Sequence, residues 1–424
     1  MARPETQPLQ GMSDIAAPEV RLWQWVEDRA RAVFRLYGCD EVRTPIPERV
    51  EVYVRALGEG TDVVQKEMYS FTDRGGRAIA LRPEGTAGVM RYVAGAVAPG
   101  QDARLYYLGP MFRAERPQAG RKRQFHQIGV EFIGAASPVA DAECIALQVH
   151  LMDAWGLAGY DVQVHTRGLP EDQPAVRKGF QDHLRPLISG LCEECRRRFE
   201  THPLRILDCK QEECRNIVAG TPPVTSYMSD ASRAYFDEVL RLLDAAGVRA
   251  RVNPQLIRGL DYYAHTIWEI THPALGAQDA LAGGGRYRIA MAGRDIEGVG
   301  FAVGLERVLL AVQASPQPPT PDPSEPVIWL VTAGGDAARA ANLGLLQKLR
   351  REGVAAGMDT GGRSMKAQMR AADRSGAAWV AIRGEEELAQ GRIKLKRMAD
   401  GTEDLVTQEE LPRRLAGPGL PPLP

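Results

Sequence analysis

Across its 424 residues the chain has no run of about 18 apolar side chains, the length a helix needs to cross a bilayer, so no membrane-spanning helix is expected. Its opening stretch, MARPETQPLQGMSD, lacks the apolar core of a secretory leader, which makes a cytoplasmic address the expectation. Cysteine is scarce. Six in a chain of this length do not make a secreted disulfide scaffold, which leaves free thiols or a metal site to weigh. Neither sign of charge prevails, since 53 Lys and Arg face 54 Asp and Glu for a formal net charge of -1. That balance argues against a general nucleic-acid coat and confines any RNA contact to local patches. Internal repeats are lacking, and low complexity is confined to residues 313–326. What remains is ordinary for a globular protein, 44% hydrophobic and 25% charged, in a chain long enough for two or three domains.

The stretch 313–326, QASPQPPTPDPSEP, excludes regular structure through its prolines and offers no core, so it reads as a linker. After it come an apolar strand (VIWLV, 327–331), a helical periodicity (337–353) and a second apolar strand (AAWVAI, 377–382), the order of a small α/β unit. Before it, strands and helices alternate without a βαβ rhythm, which predicts an α+β domain on an antiparallel sheet.

Chemistry concentrates in residues 109–134, GPMFRAERPQAGRKRQFHQIGVEFIG, two strand-like stretches around a loop dense in arginine. Side chains alternate on a strand, so Gln127, Gly129 and Glu131 share one face while Ile128, Val130 and Phe132 take the other to a core. By the same count Tyr107, Gly109, Met111 and Arg113 share a face, and an antiparallel hairpin brings Arg113 over the Gln-Gly-Glu floor. Arg116, Arg121, Lys122 and Arg123 lie between the strands, with Pro117 and Gly120 shaping the turn. Guanidinium forks match phosphate oxygens two at a time. A solvated basic turn is the plainer alternative, and the buried-looking Gln and Glu weigh against it.

Four more stretches carry candidate chemistry. LRPEGTAGVMRYV (81–93) reads as a strand entering a helix that Thr86 is placed to cap. Glu84 at that turn either binds an ammonium or serves the helix start, the two readings being equal on local grounds. IRGLDYYAHTIWEI (257–270) is a strand rich in aromatic and β-branched residues, whose Gly259 permits a bend that aims Arg258. The plain reading there is an edge arginine beside packing tyrosines. GGGRY (283–287) reads as a glycine loop that either admits a flat ligand or simply turns the chain. GVGFAVGLERVLLAV (298–312) places Leu305, Val308, Leu309 and Val312 at helical spacing. Arg307 near that helix's start is disfavoured by the dipole unless an anion is shared with the helix amides.

The phrase FRAERPQAGRKRQFHQ (112–127) resembles motif 2 of class II aminoacyl-tRNA synthetases, in the form typical of histidyl-tRNA synthetases. RGLDYY (258–263) resembles the signature that sets histidyl enzymes apart, residues 298–312 resemble motif 3, and GCDEVRTPIPERVEVY (38–53) resembles motif 1, with Pro45 at the family's dimer interface. The resemblance implies an α+β catalytic domain on an antiparallel sheet of the class II kind, with a C-terminal α/β domain that reads the anticodon. It divides the chain into catalytic core (1–168), insertion (169–245), catalytic core again (246–312), linker (313–326), anticodon-binding domain (327–416) and tail (417–424). It implies a homodimer that uses ATP with Mg2+, L-histidine and tRNA(His), and forms histidyl-adenylate before transferring the histidyl group. By resemblance the histidine-binding residues are Glu84, Thr86, Gln127, Glu131, Arg258, Tyr262 and Tyr263. Glu84 and Thr86 hold the α-amino group, Glu131 and Tyr263 the imidazole nitrogens. Arg258 and Arg113 are the catalytic pair on the α-phosphate. Arg113, Glu115, Arg121 and Arg307 bind ATP, while Arg116 and Gln118 face the tRNA acceptor stem.

Three features depart from that pattern. After Tyr287 the family continues with Asp-Gly, whereas here Arg288 and Ile289 follow and a shortened loop leads to motif 3. His265 stands where an arginine or lysine is common, with no role assigned. Within the insertion, Cys192, Cys195, Cys209 and Cys214 offer four thiolates to a structural zinc, or remain free thiols. Two rival readings are a histidine-sensing paralogue without catalysis, which would lack the C-terminal domain and the arginines, and a synthetase for another amino acid.

Overall fold

The structure, a computed structural model, describes residues 6–118, 120–134, 136–257, 262–276, 278–319 and 327–415. Two units divide the chain, Met1–Thr320 and Pro321–Pro424.

The first unit runs α1 (Glu19–Leu36), β1 (Asp40–Glu41), β2 (Pro47–Arg49), α2 (Val50–Leu57), β3 (Ser70–Thr72), β4 (Ala78–Leu81) and α3 (Thr86–Ala96). Then come β5 (Ala103–Phe112), β6 (Gln124–Ile133), α4 (Pro138–Ala154) and β7 (Asp161–Thr166). Next come α5 (Gln173–Leu184), α6 (Glu193–Thr201), α7 (Glu212–Ala219) and α8 (Asp230–Ala245). The chain returns through β8 (Arg251–Val252), β9 (Tyr263–Thr271), β10 (Ala280–Met291), β11 (Arg294–Gly304) and α9 (Leu305–Gln313).

Among the described residues the main sheet has eight strands in the order β1-β5-β6-β11-β10-β9-β7-β8. Its centre is antiparallel, and only the short edge pairs β1–β5 and β7–β8 are parallel. Alternation on β6 sends Ile128, Val130 and Phe132 into a large core with Leu22, Val26 and Phe34 of α1, Ile145 and Leu151 of α4, and Val308 and Val312 of α9. The stripe Leu22, Trp23, Val26, Ala30, Val33, Phe34 gives α1 its buried face at three-and-four spacing. Trp155, just past α4, donates its indole N–H to Val26 O at 2.9 Å and ties the two helices together. The opposite face of the sheet packs Tyr107, Met111, Tyr263, Ile267, Tyr287 and Ile289 against Val52, Tyr53 and Leu57 of α2 and Val89, Met90 and Val93 of α3. Each fully buried side chain of this size is worth roughly 1.5–3 kcal/mol, so the two cores together hold the sheet.

One expectation is corrected here. The glycines of GGGRY lie inside β10 and form no loop. A Cβ on Gly284 would stand 2.5 Å from the Trp268 ring and 2.4 Å from Gly300 O, so close packing between strands, not turning, requires glycine there. The shortened connection to motif 3 is a tight hairpin: Met291 pairs with Arg294 across Ala292 (φ +50) and Gly293 (φ +76). Arg288 and Ile289 are therefore strand residues. Arg288 pairs with Asp295 at 2.8 Å on the exposed side, and Ile289 is buried in the second core.

The second unit runs β12 (Ile328–Thr332), α10 (Asp336–Arg351), β13 (Ala356–Met358), α11 (Met365–Arg374), β14 (Trp379–Arg383), α12 (Glu385–Ala389), β15 (Arg392–Arg397), β16 (Glu403–Thr407) and α13 (Leu411–Leu415). Its sheet order is β13-β12-β14-β15-β16, parallel through β12 and antiparallel beyond β14. Successive strands are added first on one side of β12 and then on the other, and a cleft of about 380 Å3 opens at the end of that strand, lined by Thr332, Gly334, Arg339, Arg363 and Gln368. Gln368 bridges its floor, accepting from Thr332 N–H at 2.9 Å and donating to Thr332 O at 3.1 Å.

Candidate active site

The site face of the main sheet is assembled around Glu131, which is 1% exposed. Its carboxylate accepts from Thr86 Oγ1 and from the Tyr287 hydroxyl, each at 2.7 Å. Burial raises its pKa to about 8, against the pull of those two hydroxyls and with a further push from Glu84. Among the described residues no cation pairs with it. A buried acid braced only by hydroxyls suits a ligand that brings an N–H or a positive charge.

Glu84 and Thr86 lie where β4 passes into α3, and here the capping expectation is corrected. Thr86 is the first helical residue, after Gly85, and its side chain caps nothing. Glu84 takes the helix amides instead, accepting from Thr86 N–H at 2.7 Å and Ala87 N–H at 2.8 Å. This leaves the Thr86 hydroxyl for Glu131. Burial raises the pKa of Glu84 despite these amides and the nearby Arg113.

Aromatic rings fill the space the glycines leave. The gap read at Gly129 is occupied by Tyr107, whose ring would lie 2.2 Å from a Cβ there and 2.1 Å from a Cβ on Gly85. Gly285 similarly admits Tyr263, at 2.6 Å. Tyr262 makes edge contacts with Tyr263 (4.6 Å) and Tyr287 (5.8 Å). Burial holds the pKa values of Tyr107, Tyr262 and Tyr287 well above the ordinary tyrosine range, so these phenols stay neutral donors. Gln127 stands on the same strand face as Glu131, with its Oε1 buried and without a hydrogen-bond partner among the described residues.

The arginine loop lies beside this cluster. Arg113 donates its Nε–H to Pro83 O at 2.8 Å, one residue from Glu84, and stacks 5.4 Å from the Phe125 ring. Glu115 sits between Arg113 (3.7 Å) and Arg121 (3.3 Å). Arg307 projects from the first turn of α9 and donates to Gln278 O, while its Nε is buried without a partner among the described residues. Burial first, and Arg121 second, lower the pKa of Arg307. Two cations pressed together in this way favour an anion between them. Gly120 in the loop packs against Arg307 and Leu310, so loop and helix share one wall. Arg116 and Gln118 are exposed at the loop tip, and Gln118 reaches Gln278 at 3.3 Å. Arg258 lies outside the described residues.

Sequence reasoning missed Tyr107 and Tyr287 as neighbours of Glu131, and it missed Glu306. The buried Glu306 carboxylate accepts from His126 N–H with both oxygens, at 3.1 and 3.0 Å, and so pins the start of β6 to α9. His265 is now placed. It sits at φ +76 where the insertion leaves the core, exchanging backbone bonds with Arg167 and Gly168, its ring 3.8 Å from that of Tyr235. Burial lowers its pKa to about 4, so it is a neutral packing group rather than a substitute for an arginine. The four insertion cysteines meet: their sulfurs all lie within 4.8 Å of one another, Cys192 and Cys209 at 3.9 Å.

A family model described as histidyl-tRNA synthetase matches residues 11–171 and 210–308, and one described as anticodon binding domain matches 327–417. The chain is 46% identical to the histidine-tRNA ligase of Desulforudis audaxviator over 412 residues, 96% of this chain and 97% of the relative. It is 44% identical to that of Halothermothrix orenii, covering 92% of this chain and 94% of the relative. Among solved structures, apo histidyl-tRNA synthetase of S. aureus superposes with a TM-score of 0.81 at 32% identity, covering 96% of this chain and 99% of that one.

Proposed function

The chain belongs to the histidyl-tRNA synthetase family, and we propose on that premise that it works as a histidine-tRNA ligase, with the pocket around Glu131 as its histidine site. It is thus an enzyme of the class II aminoacyl-tRNA synthetases. Histidine's carboxylate attacks the α-phosphate of ATP and releases diphosphate. The terminal adenosine hydroxyl of tRNA(His) then attacks the adenylate carbonyl and releases AMP.

The observation that carries the histidine reading is the buried, hydroxyl-braced Glu131 facing the tyrosine wall. A neutral imidazole has a donor on one nitrogen and an acceptor on the other, and a carboxylate with the phenol of Tyr263 satisfies both. Side chains that leave such groups unpaired are rejected by about 10⁴-fold or more. Glu84, Thr86 and the unpartnered Gln127 Oε1 take the α-ammonium, with Tyr262 closing that side. Glu84 keeps lone pairs beyond the two given to the helix amides.

Arg113 and Arg258 hold the α-phosphate. Arg307, with its unpartnered buried Nε, holds the γ-phosphate beside Arg121. The family uses ATP with Mg2+. When bound, the metal would neutralise phosphate charge, and Glu115, held between Arg113 and Arg121, joins them in binding the nucleotide. Arg116 and Gln118 meet the acceptor stem, and residues 327–416 meet the anticodon. Motif 1 with Pro45 forms a homodimer interface, the enzyme works in the cytoplasm, and zinc occupies the four insertion cysteines. No helix among the described residues is long and apolar enough to cross a membrane.

Amino-acid-dependent exchange of pyrophosphate into ATP, measured across the amino acids, tests the assignment. Histidine should exceed every other by at least about 10⁴ in kcat/KM. No histidine-dependent exchange, or a faster one with another amino acid, would overturn it.

A further inference from the structure

We infer that one zinc ion on Cys192, Cys195, Cys209 and Cys214 is the staple that folds the insertion between α5 and α8, an inference that rests on zinc being the ligand proposed above. The family model passes over residues 172–209, so three of these four cysteines lie outside what it matches. Zn–S bonds of about 2.3 Å in a tetrahedron put the sulfurs about 3.8 Å apart, and here Cys192 and Cys209 stand at 3.9 Å with all four within 4.8 Å. A disulfide would instead bring one pair to about 2 Å and leave two buried thiols unused. The four arrive from separate pieces of chain: Cys192 and Cys195 at the start of α6, Cys209 after the turn Pro203–Asp208, and Cys214 in the first turn of α7. Cys192 N–H points at Cys214 Sγ at 3.1 Å, the kind of backbone donor that steadies a thiolate ligand.

The stapling role follows from how little else holds these helices. The only residues α6 buries are Cys195 and Phe199, and the only ones α7 buries are Cys214 and Val218. In each helix one of two anchors, four residues apart, is a cysteine. The helices have nine and eight residues, short of the length that is stable alone. The fully buried part of their shared core is Phe180, Leu184, Leu191, Phe199, Ile206 and Val218 with two cysteines, and Ile188, Leu204, Leu207 and Ile217 are only partly buried against it, a core small enough to need a staple. None of these residues belongs to the pocket around Glu131, so the metal acts on the insertion and not on adenylate chemistry.

The test uses the full chain. Zinc and iron are quantified in the purified protein, and amide hydrogen exchange is followed before and after stripping with a strong chelator. The expected result is about one zinc per chain, exchange in residues 192–219 at least about tenfold faster after stripping, and no change in 124–133. Cys214→Ser should lose the metal and Cys39→Ser keep it. Less than about a third of a zinc per chain, or iron in its place, would remove the zinc reading and the staple with it. A full zinc complement whose removal leaves 192–219 equally protected would overturn the staple alone.

Discussion

Glu131 is the residue whose behaviour is easiest to measure. Folding raises its pKa to about 8, whereas an unfolded chain carries the ordinary glutamate value of about 4.3. Below the lower value both states hold the proton and stability is fully present. As pH climbs, the unfolded chain releases the proton and the folded one keeps it, so up to about 1.4 kcal/mol is lost per pH unit until the folded value is passed. Glu131→Gln should therefore gain on the parent from about pH 5 to about pH 8 and hold a constant lead above. Urea unfolding across that range checks it, and parallel curves would refute the raised value. Gly300 gives a steric counterpart: a Cβ there would meet Glu131 Oε2 at 2.0 Å and Val130 O at 2.4 Å. Gly300→Ala should cost about 1–3 kcal/mol, and a larger KM for histidine should accompany the lowered unfolding midpoint. At this scale the sequence let the Gln127–Glu131 face be read, because alternation depends only on counting. It did not let Tyr107 and Tyr287 be read as partners of the site, because their reach depends on glycines in other strands having no side chain.

Elements were legible where pattern and packing agree. The stripe of α9 and the apolar strands β12 and β14 stand where periodicity put them. GGGRY misled because three glycines in a row signal a turn locally, while the neighbouring Trp268 and Tyr263 rings demand glycine within a strand. The start of α3 misled because Thr is a preferred cap, yet a carboxylate two residues earlier takes the helix's first amides, those of Thr86 and Ala87. The β10–β11 hairpin carries its own test. Ala292 holds a left-handed conformation that asparagine tolerates better, and Asn-Gly is the favoured pair for such two-residue turns. Ala292→Asn should raise stability by about 0.5–1 kcal/mol, read as a higher urea midpoint with unchanged slope.

At the scale of the whole molecule, the two-unit division and the antiparallel sheet were both legible, the first from proline density and the second from the lack of a βαβ rhythm. The strand order was not, since β10 and β11 enter between β6 and β9 through pairings far apart in sequence. Every described residue of the pocket belongs to the first unit. A chain ending at residue 320 should keep histidine-dependent exchange within about twofold of the parent, while tRNA charging falls by about a hundredfold as the second contact with the nucleic acid is lost. Equal losses in both assays would show that the units do not divide the labour. The Thr86 hydroxyl, finally, joins a helix to a strand, and with them the acid assigned to the backbone end of the amino acid and the acid assigned to its ring. The pocket then works as a calliper with a fixed jaw opening, gauging the span between two handles as well as the handles themselves. β-Homohistidine, longer by one methylene and complete at both ends, should fit about 10–200-fold less well.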